Sequence, residues 1–196
     1  MLTSYTMAPK GWRRPKNTIG LSHYIRRFTA QTWPSHRLVP MKLWIAAVGT
    51  RPRDAFEDLA RLYLDRIAPL LPGSAKTALD APVFRSEDAL WEAVERERTR
   101  TAPMLVLLDE RGKQMTSETF AKWLGRERDE GRQLIVFAIG PADGWSEDSR
   151  KRATERLSLG PMTLAHELAR VVLCEQIYRA LTILAGHPYH RAGSKE

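Results

Sequence analysis

Two uninterrupted apolar runs, MLVLLD at 104–109 and LIVFAI at 134–139, constrain this chain more than any other feature. Neither alternates apolar with polar, so each reads as a strand buried on both faces, the habit of parallel sheets. Parallel neighbours cannot be joined by a tight turn and need a crossover, usually a helix. A helical stretch at about 117–129 supplies one. The alternation starts at Met41: LWIAAV (43–48) has strand length. Asp54 with Glu57 then forms a capping-box start for a helix with the face Phe56, Ala60, Tyr63, Leu64 and Ile67. Pro72-Gly73 closes that helix, TALDAPVF (77–84) reads as a further strand, and Ser86 caps the charged helix SEDALWEAVERERTR. Ser146 is expected to cap one helix through SEDSRKRATERL. The longest helix is expected over Leu164 to Ala185, with Leu164, Leu168, Val171, Val172, Ile177, Leu181 and Leu184 on its apolar side and Gly186 as its stop. Strands alternating with helices predict an α/β domain, a mainly parallel sheet flanked by helices.

Charge separates the chain into two parts. The net +8 over 196 residues is concentrated in residues 1–40, which hold seven Lys and Arg and no Asp or Glu; residues 41–196 hold 24 against 23. The basic balance therefore describes the first segment, and any nucleic-acid surface on the remainder is a local patch. Three readings are open for 1–40: a targeting segment, a basic RNA-binding arm, or an extension upstream of a working start at Met41. The lone Cys174 excludes an internal disulfide and a thiolate metal cluster, and fits a cytoplasmic setting. No apolar run approaches the roughly 20 residues that span a bilayer, so no membrane partner is expected.

Ligands of a parallel sheet sit outside the carboxyl ends of its central strands. Three loops converge there: LLDERGK after the strand at 104–109, IGPADGW after the strand at 134–139, and LSLGPMTL before the last helix. Gly140, Gly144 and Gly160 let backbone approach a ligand closely. None forms a GxGxxG or GxxxxGK[ST] motif, so the dinucleotide and P-loop fingerprints are missing.

The segments LLDERGKQMTSETFAKWL, FAIGPADGW, LSLGPMTLAHELARVVLCEQIYRA and HPYHR together resemble the RlmH family, the 23S ribosomal RNA pseudouridine N3-methyltransferases of the SPOUT superfamily. The resemblance covers about 41–191 in collinear order. It implies a trefoil-knotted α/β fold in a domain spanning 41–196, an obligate homodimer, action on the ribosome, and S-adenosyl-L-methionine as cofactor. It places cofactor contacts at Leu108, Gly140, Leu159, Gly160, Pro161, Met162, Thr163 and Leu164. Two positions depart from the family pattern: Pro141 replaces a second glycine and Ala165 replaces a proline. Proline has no N–H and a fixed φ, so a shifted but working loop is expected.

Methyl transfer to a uracil-type N3 needs no metal, and positioning does most of the work. His190 is the candidate acceptor for the N3 proton, since it titrates nearest neutrality. Arg179 and Arg191 suit phosphate contact, and Tyr189 suits stacking on a base. The plainer readings are an i,i+4 pair between Glu175 and Arg179, a capping or packing role for His166, and a core role for Cys174. His187-x-x-His190 lacks the companions of a metal site. Two other functions fit parts of the pattern: a SPOUT methyltransferase of transfer RNA, and a non-enzymatic RNA-binding module.

Overall fold

The structure is a computed structural model that describes residues 41–49, 55–71, 78–187 and 189. Its strands are β1 (Lys42–Val48), β2 (Leu79–Asp80), β3 (Val83–Phe84), β4 (Met104–Gln114), β5 (Leu134–Ile139) and β6 (Glu155–Ser158). Its helices are α1 (Ala55–Ile67), α2 (Glu87–Arg96), α3 (Ser117–Asp129), α4 (Glu147–Arg152) and α5 (His166–Leu184). Every strand pairing is parallel, in the order β2-β1-β5-β4-β6, with β3 also on β1.

Alternate residues of the three central strands feed two cores, because successive side chains of a strand point to opposite faces. On one face Leu43, Ile45, Val106, Ile135 and Phe137 pack with residues of α1, α3 and α5. On the other, Trp44, Ala46, Leu105, Leu107, Val136 and Ala138 pack with Leu90, Trp91 and Val94 of α2 and with Trp145. Both faces of β5 are fully buried, as its continuous apolar sequence requires.

The expected caps form. Ser86 and Ser146 accept backbone N–H groups from Ala89 and Ser149 at 3.2 and 3.1 Å. Gly186 takes φ +65 after α5. Asp54 lies outside the described residues, and Glu57 is buried and paired with Arg170 across the α1–α5 contact.

Five expectations need correction. The helix from Ser146 stops at Arg152, and ERLS forms β6 instead. The open edge of β4 decides this: Thr154 donates its N–H to Leu105 O at 2.9 Å and accepts Leu105 N–H on its hydroxyl at 3.1 Å, which starts the ladder. The strand at 77–84 divides into β2 and β3, because Pro82 cannot donate to a ladder although its carbonyl still accepts from Ala47. β4 runs on to Gln114, so the whole of LLDERGK (107–113) is strand instead of loop, with its register against β6 shifting between Leu108 and Lys113. The last helix begins at His166, since Ala165 is still extended, and its buried face is Val171, Leu173, Cys174, Ile177 and Leu181 while Leu168 is exposed. Phe56, expected on the inner face of α1, is likewise 39% exposed.

Candidate active site

The carboxyl ends of β4 and β5 and the segment after β6 enclose one cavity of about 810 Å3, within the roughly 300–1,000 Å3 typical of ligand sites. Leu108, Gly140, Leu159, Gly160, Met162, Thr163 and Leu164 all line it. Pro161, in the same stretch, is exposed and is not part of the lining.

Three side chains fix these loops. Trp145 donates its indole N–H to Leu108 O at 2.8 Å, tying the loop after β5 to the middle of β4. Its ring also fills the space beside Gly140, where an added Cβ would lie 2.9 Å from the indole, so this close approach requires glycine. His166, at the start of α5, places Nδ1 2.7 Å from Gly140 O and bridges the second loop to the third. Ser158 closes the third loop on itself through Gly160 N–H at 3.3 Å and Gly160 O at 3.0 Å. Gly160 sits at φ +142, a conformation favouring glycine, and nothing lies within 4 Å of where its Cβ would be.

Beside the cavity, Arg150 of α4 meets Asp109 at 2.7 Å, and Asp109 also accepts Arg111 N–H at 2.8 Å. Burial alone would raise the Asp109 carboxyl, but the hydrogen bonds from Arg150 and Arg111 and the Arg150 charge outweigh it and hold the group below the usual carboxylate range. Glu87 of α2 anchors α4 through the Ser146 and Ser149 hydroxyls, both at 2.5 Å. There too burial is outweighed by hydrogen bonding, and the carboxyl stays ionised to lower pH. These bonds hold in place the helix that follows the IGPADGW loop.

The other candidates lie at the far end of α5. Glu175 accepts Arg179 at 2.5 and 3.0 Å and the Tyr189 hydroxyl at 3.1 Å, and the Tyr189 ring sits edge-on to Tyr178 with centroids 4.8 Å apart. Burial and the neighbouring Glu175 charge push the Tyr189 phenol up to about 12, so it is a neutral donor at physiological pH. The Glu175 hydrogen bond keeps Arg179 cationic. His190 and Arg191 lie outside the described residues. Tyr189 contacts Tyr178, nine residues along α5 from Ala169, the last residue of the cavity lining, so about 14 Å of helix separates it from the cavity in its own chain. The structure therefore brings the expected cofactor residues other than Pro161 together around the cavity and sets Arg179 and Tyr189 apart from them.

Sequence reasoning passed over Trp145 and the Asp109–Arg150 pair as functional groups. A tryptophan five residues after the Gly140 that follows β5 was the available signal. Cys174 is a core residue as read, its thiol pushed up to about 12 by burial and unsuited to nucleophilic work. Among the described residues no three His, Cys, Asp or Glu side chains gather to hold a metal ion, and no helix is long and apolar enough to cross a membrane.

Comparison with known proteins adds the family. A family model described as "Predicted SPOUT methyltransferase" matches residues 41–190. A Koribacter versatilis (strain Ellin345) protein named "Ribosomal RNA large subunit methyltransferase H" is 50% identical over 150 residues, 76% of this chain and 98% of its own length. Proteins of the same name from Allorhizobium ampelinum and Rhizobium meliloti are each 42% identical, covering 78% of this chain and 100% of theirs. The match begins at Met41, where the strand-helix alternation begins, and takes in all three loops of the cavity. The chain belongs to the SPOUT methyltransferase family.

Proposed function

We propose that this protein is an S-adenosylmethionine-dependent methyltransferase that modifies N3 of a pseudouridine in large-subunit (23S) ribosomal RNA, on the ribosome in the cytoplasm, and works as a homodimer. The observation that carries the reading is the meeting of the irregular stretch of β4 with the segments after β5 and β6 around one cavity in a chain of this family. The names of the relatives, at 42–50% identity over nearly their whole lengths, support ribosomal RNA as the substrate class.

The residues present fit the cofactor. Leu108, Leu159, Met162 and Leu164 offer apolar surface to an adenine ring, Gly140 and Thr163 add backbone polar groups, and Gly160 leaves open space where a side chain would stand. Pro161 belongs to the set as the rigid turn between Gly160 and Met162. When bound, S-adenosylmethionine supplies an electrophilic methyl group on a sulfonium centre.

The chain's own residues then do the positioning. His190 accepts or hydrogen-bonds the N3 proton, a contribution of roughly 10²–10⁴ in rate. Arg179 and Arg191 hold phosphates, and the neutral Tyr189 stacks on or hydrogen-bonds the base. Because Tyr189 is separated by about 14 Å of helix from the cavity of its own chain, the tail serves the cavity of a second copy. Phe56, Leu59 and Leu62 on α1 and Leu168 on α5 are 37–45% exposed, which supports a second copy covering them.

The test offers purified protein and tritiated cofactor to intact large ribosomal subunits, deproteinised 23S RNA and transfer RNA. Label on a pseudouridine of the intact subunit is expected. Label on transfer RNA alone would overturn the reading.

A further inference from the structure

The C-terminal ends of α1 and α5 carry a side-chain cluster in which only Arg179 and Tyr189 have a role in the proposed reaction. Tyr63 of α1 and Tyr178 of α5 lie 6.2 Å apart by ring centroid, and Tyr178 continues the row to Tyr189. The Arg66 guanidinium rests over two of these rings, 5.5 Å from Tyr63 and 5.9 Å from Tyr178. Arg179 stands over the third, 5.0 Å from Tyr189. Three aromatic rings and two guanidinium groups thus form one contiguous cluster, with Tyr63 and Tyr178 half-buried against the core beneath it.

The two cations differ in what they have left to offer. Arg179 is bound by Glu175 at 2.5 Å. Arg66 is exposed and has no carboxylate within 4 Å among the described residues. A guanidinium lying on aromatic faces is held in direction while its N–H donors stay open at the edge, the geometry that suits bidentate contact with an oxyanion. Tyrosine faces beside such a cation suit unstacked bases, and RNA is read mainly through exposed bases and backbone. Arg66 follows Leu59 and Leu62 by seven and four residues on α1, so it sits at the end of the exposed apolar stripe and beside the tail of its own chain.

We infer that Arg66, propped on Tyr63 and Tyr178, is an RNA phosphate contact that extends the RNA-facing surface from the tail onto α1. The inference rests on the ribosomal RNA reading above for the identity of the RNA. The ligand is a backbone phosphate next to the target nucleotide, and the row Tyr63–Tyr178–Tyr189 is the platform beside it.

The experiment compares full-length wild type with Arg66→Ala and Arg66→Lys. Binding to large ribosomal subunits, deproteinised 23S RNA and transfer RNA is titrated at several salt concentrations. Cofactor affinity, dimer mass, melting temperature and methyl transfer are measured on the same samples. Arg66→Ala should weaken RNA binding about tenfold and lower the salt slope by about one. Its cofactor affinity, dimer mass and kcat at saturating RNA should stay unchanged. Arg66→Lys should keep the slope and most of the affinity. An unchanged slope in Arg66→Ala would overturn the inference; so would loss of the dimer, which makes the residue an interface contact, or loss of cofactor affinity, which makes it a cofactor contact. If the wild type binds RNA but methylates none, the functional reading fails while the slope still decides the role of Arg66. If the wild type binds none of the three RNAs, the inference falls with it.

Discussion

The indole N–H of Trp145 donates to the carbonyl oxygen of Leu108 at 2.8 Å, so the loop leaving β5 is fastened to β4 where its register against β6 begins to shift, at the mouth of the cavity. The same ring presses on Gly140. Trp145→Phe keeps most of the packing and removes the donor. The lost bond should cost about 1–2 kcal/mol, and cofactor affinity should fall roughly five- to thirtyfold. Calorimetric titration beside a thermal melt checks this; affinity unchanged with a lowered melting temperature would make Trp145 a packing residue only.

Gly160 combines φ +142 with empty space beside its Cα. Gly160→Val meets no protein atom there, so its own strain should cost about 1–3 kcal/mol and leave the fold standing. The isopropyl group would occupy space needed by the nucleoside. Binding of S-adenosylmethionine should be abolished in a protein with native circular dichroism and unchanged dimer mass.

The Asp109–Arg150 pair makes stability depend on acid. Because the folded carboxyl lies below its unfolded value, its contribution is complete above about pH 3.9 and is lost as pH falls through the lower folded value. Asp109→Asn should therefore show a shallower loss of stability than wild type between neutral pH and pH 3. Urea melts across that range decide it, parallel curves being the contrary result.

Residues 41–190 match the family model, and relatives covered over 98–100% of their length use only 76–78% of this chain. A chain beginning at Met41 should fold and bind the cofactor as the full chain does. A drop of several degrees in melting temperature would show that residues 1–40 pack on the body.

The core strands were legible because a run such as LIVFAI leaves little choice: six apolar residues in a row satisfy two helical layers at once. Caps were legible because Ser86 and Ser146 meet their N–H partners within three residues. β6 was not, since ERLS has no strand pattern of its own and becomes one only when Thr154 meets Leu105, 49 residues away. For the cavity, glycine spacing located the loops, but the groups that fasten them were hidden in long-range pairs: Trp145 with Leu108, His166 with Gly140, Arg150 with Asp109. A knot has no signature in residue spacing, so that expectation came from the resemblance alone. The cluster around Arg66 escaped notice for the same reason as β6: Tyr63 and Tyr178 lie 115 positions apart and meet only because α1 and α5 run side by side.

The central claim is that a working site takes its loops from one copy and its tail from another. Deleting residues 187–196 removes the tail and leaves the cavity, while Gly160→Val does the reverse, and each protein alone should transfer no methyl group. Mixed dimers of the two, isolated by different affinity tags, contain one complete site if the tail crosses the interface. They should recover close to half the wild-type rate per dimer on large ribosomal subunits. Verified mixed dimers that stay inactive would contradict the account.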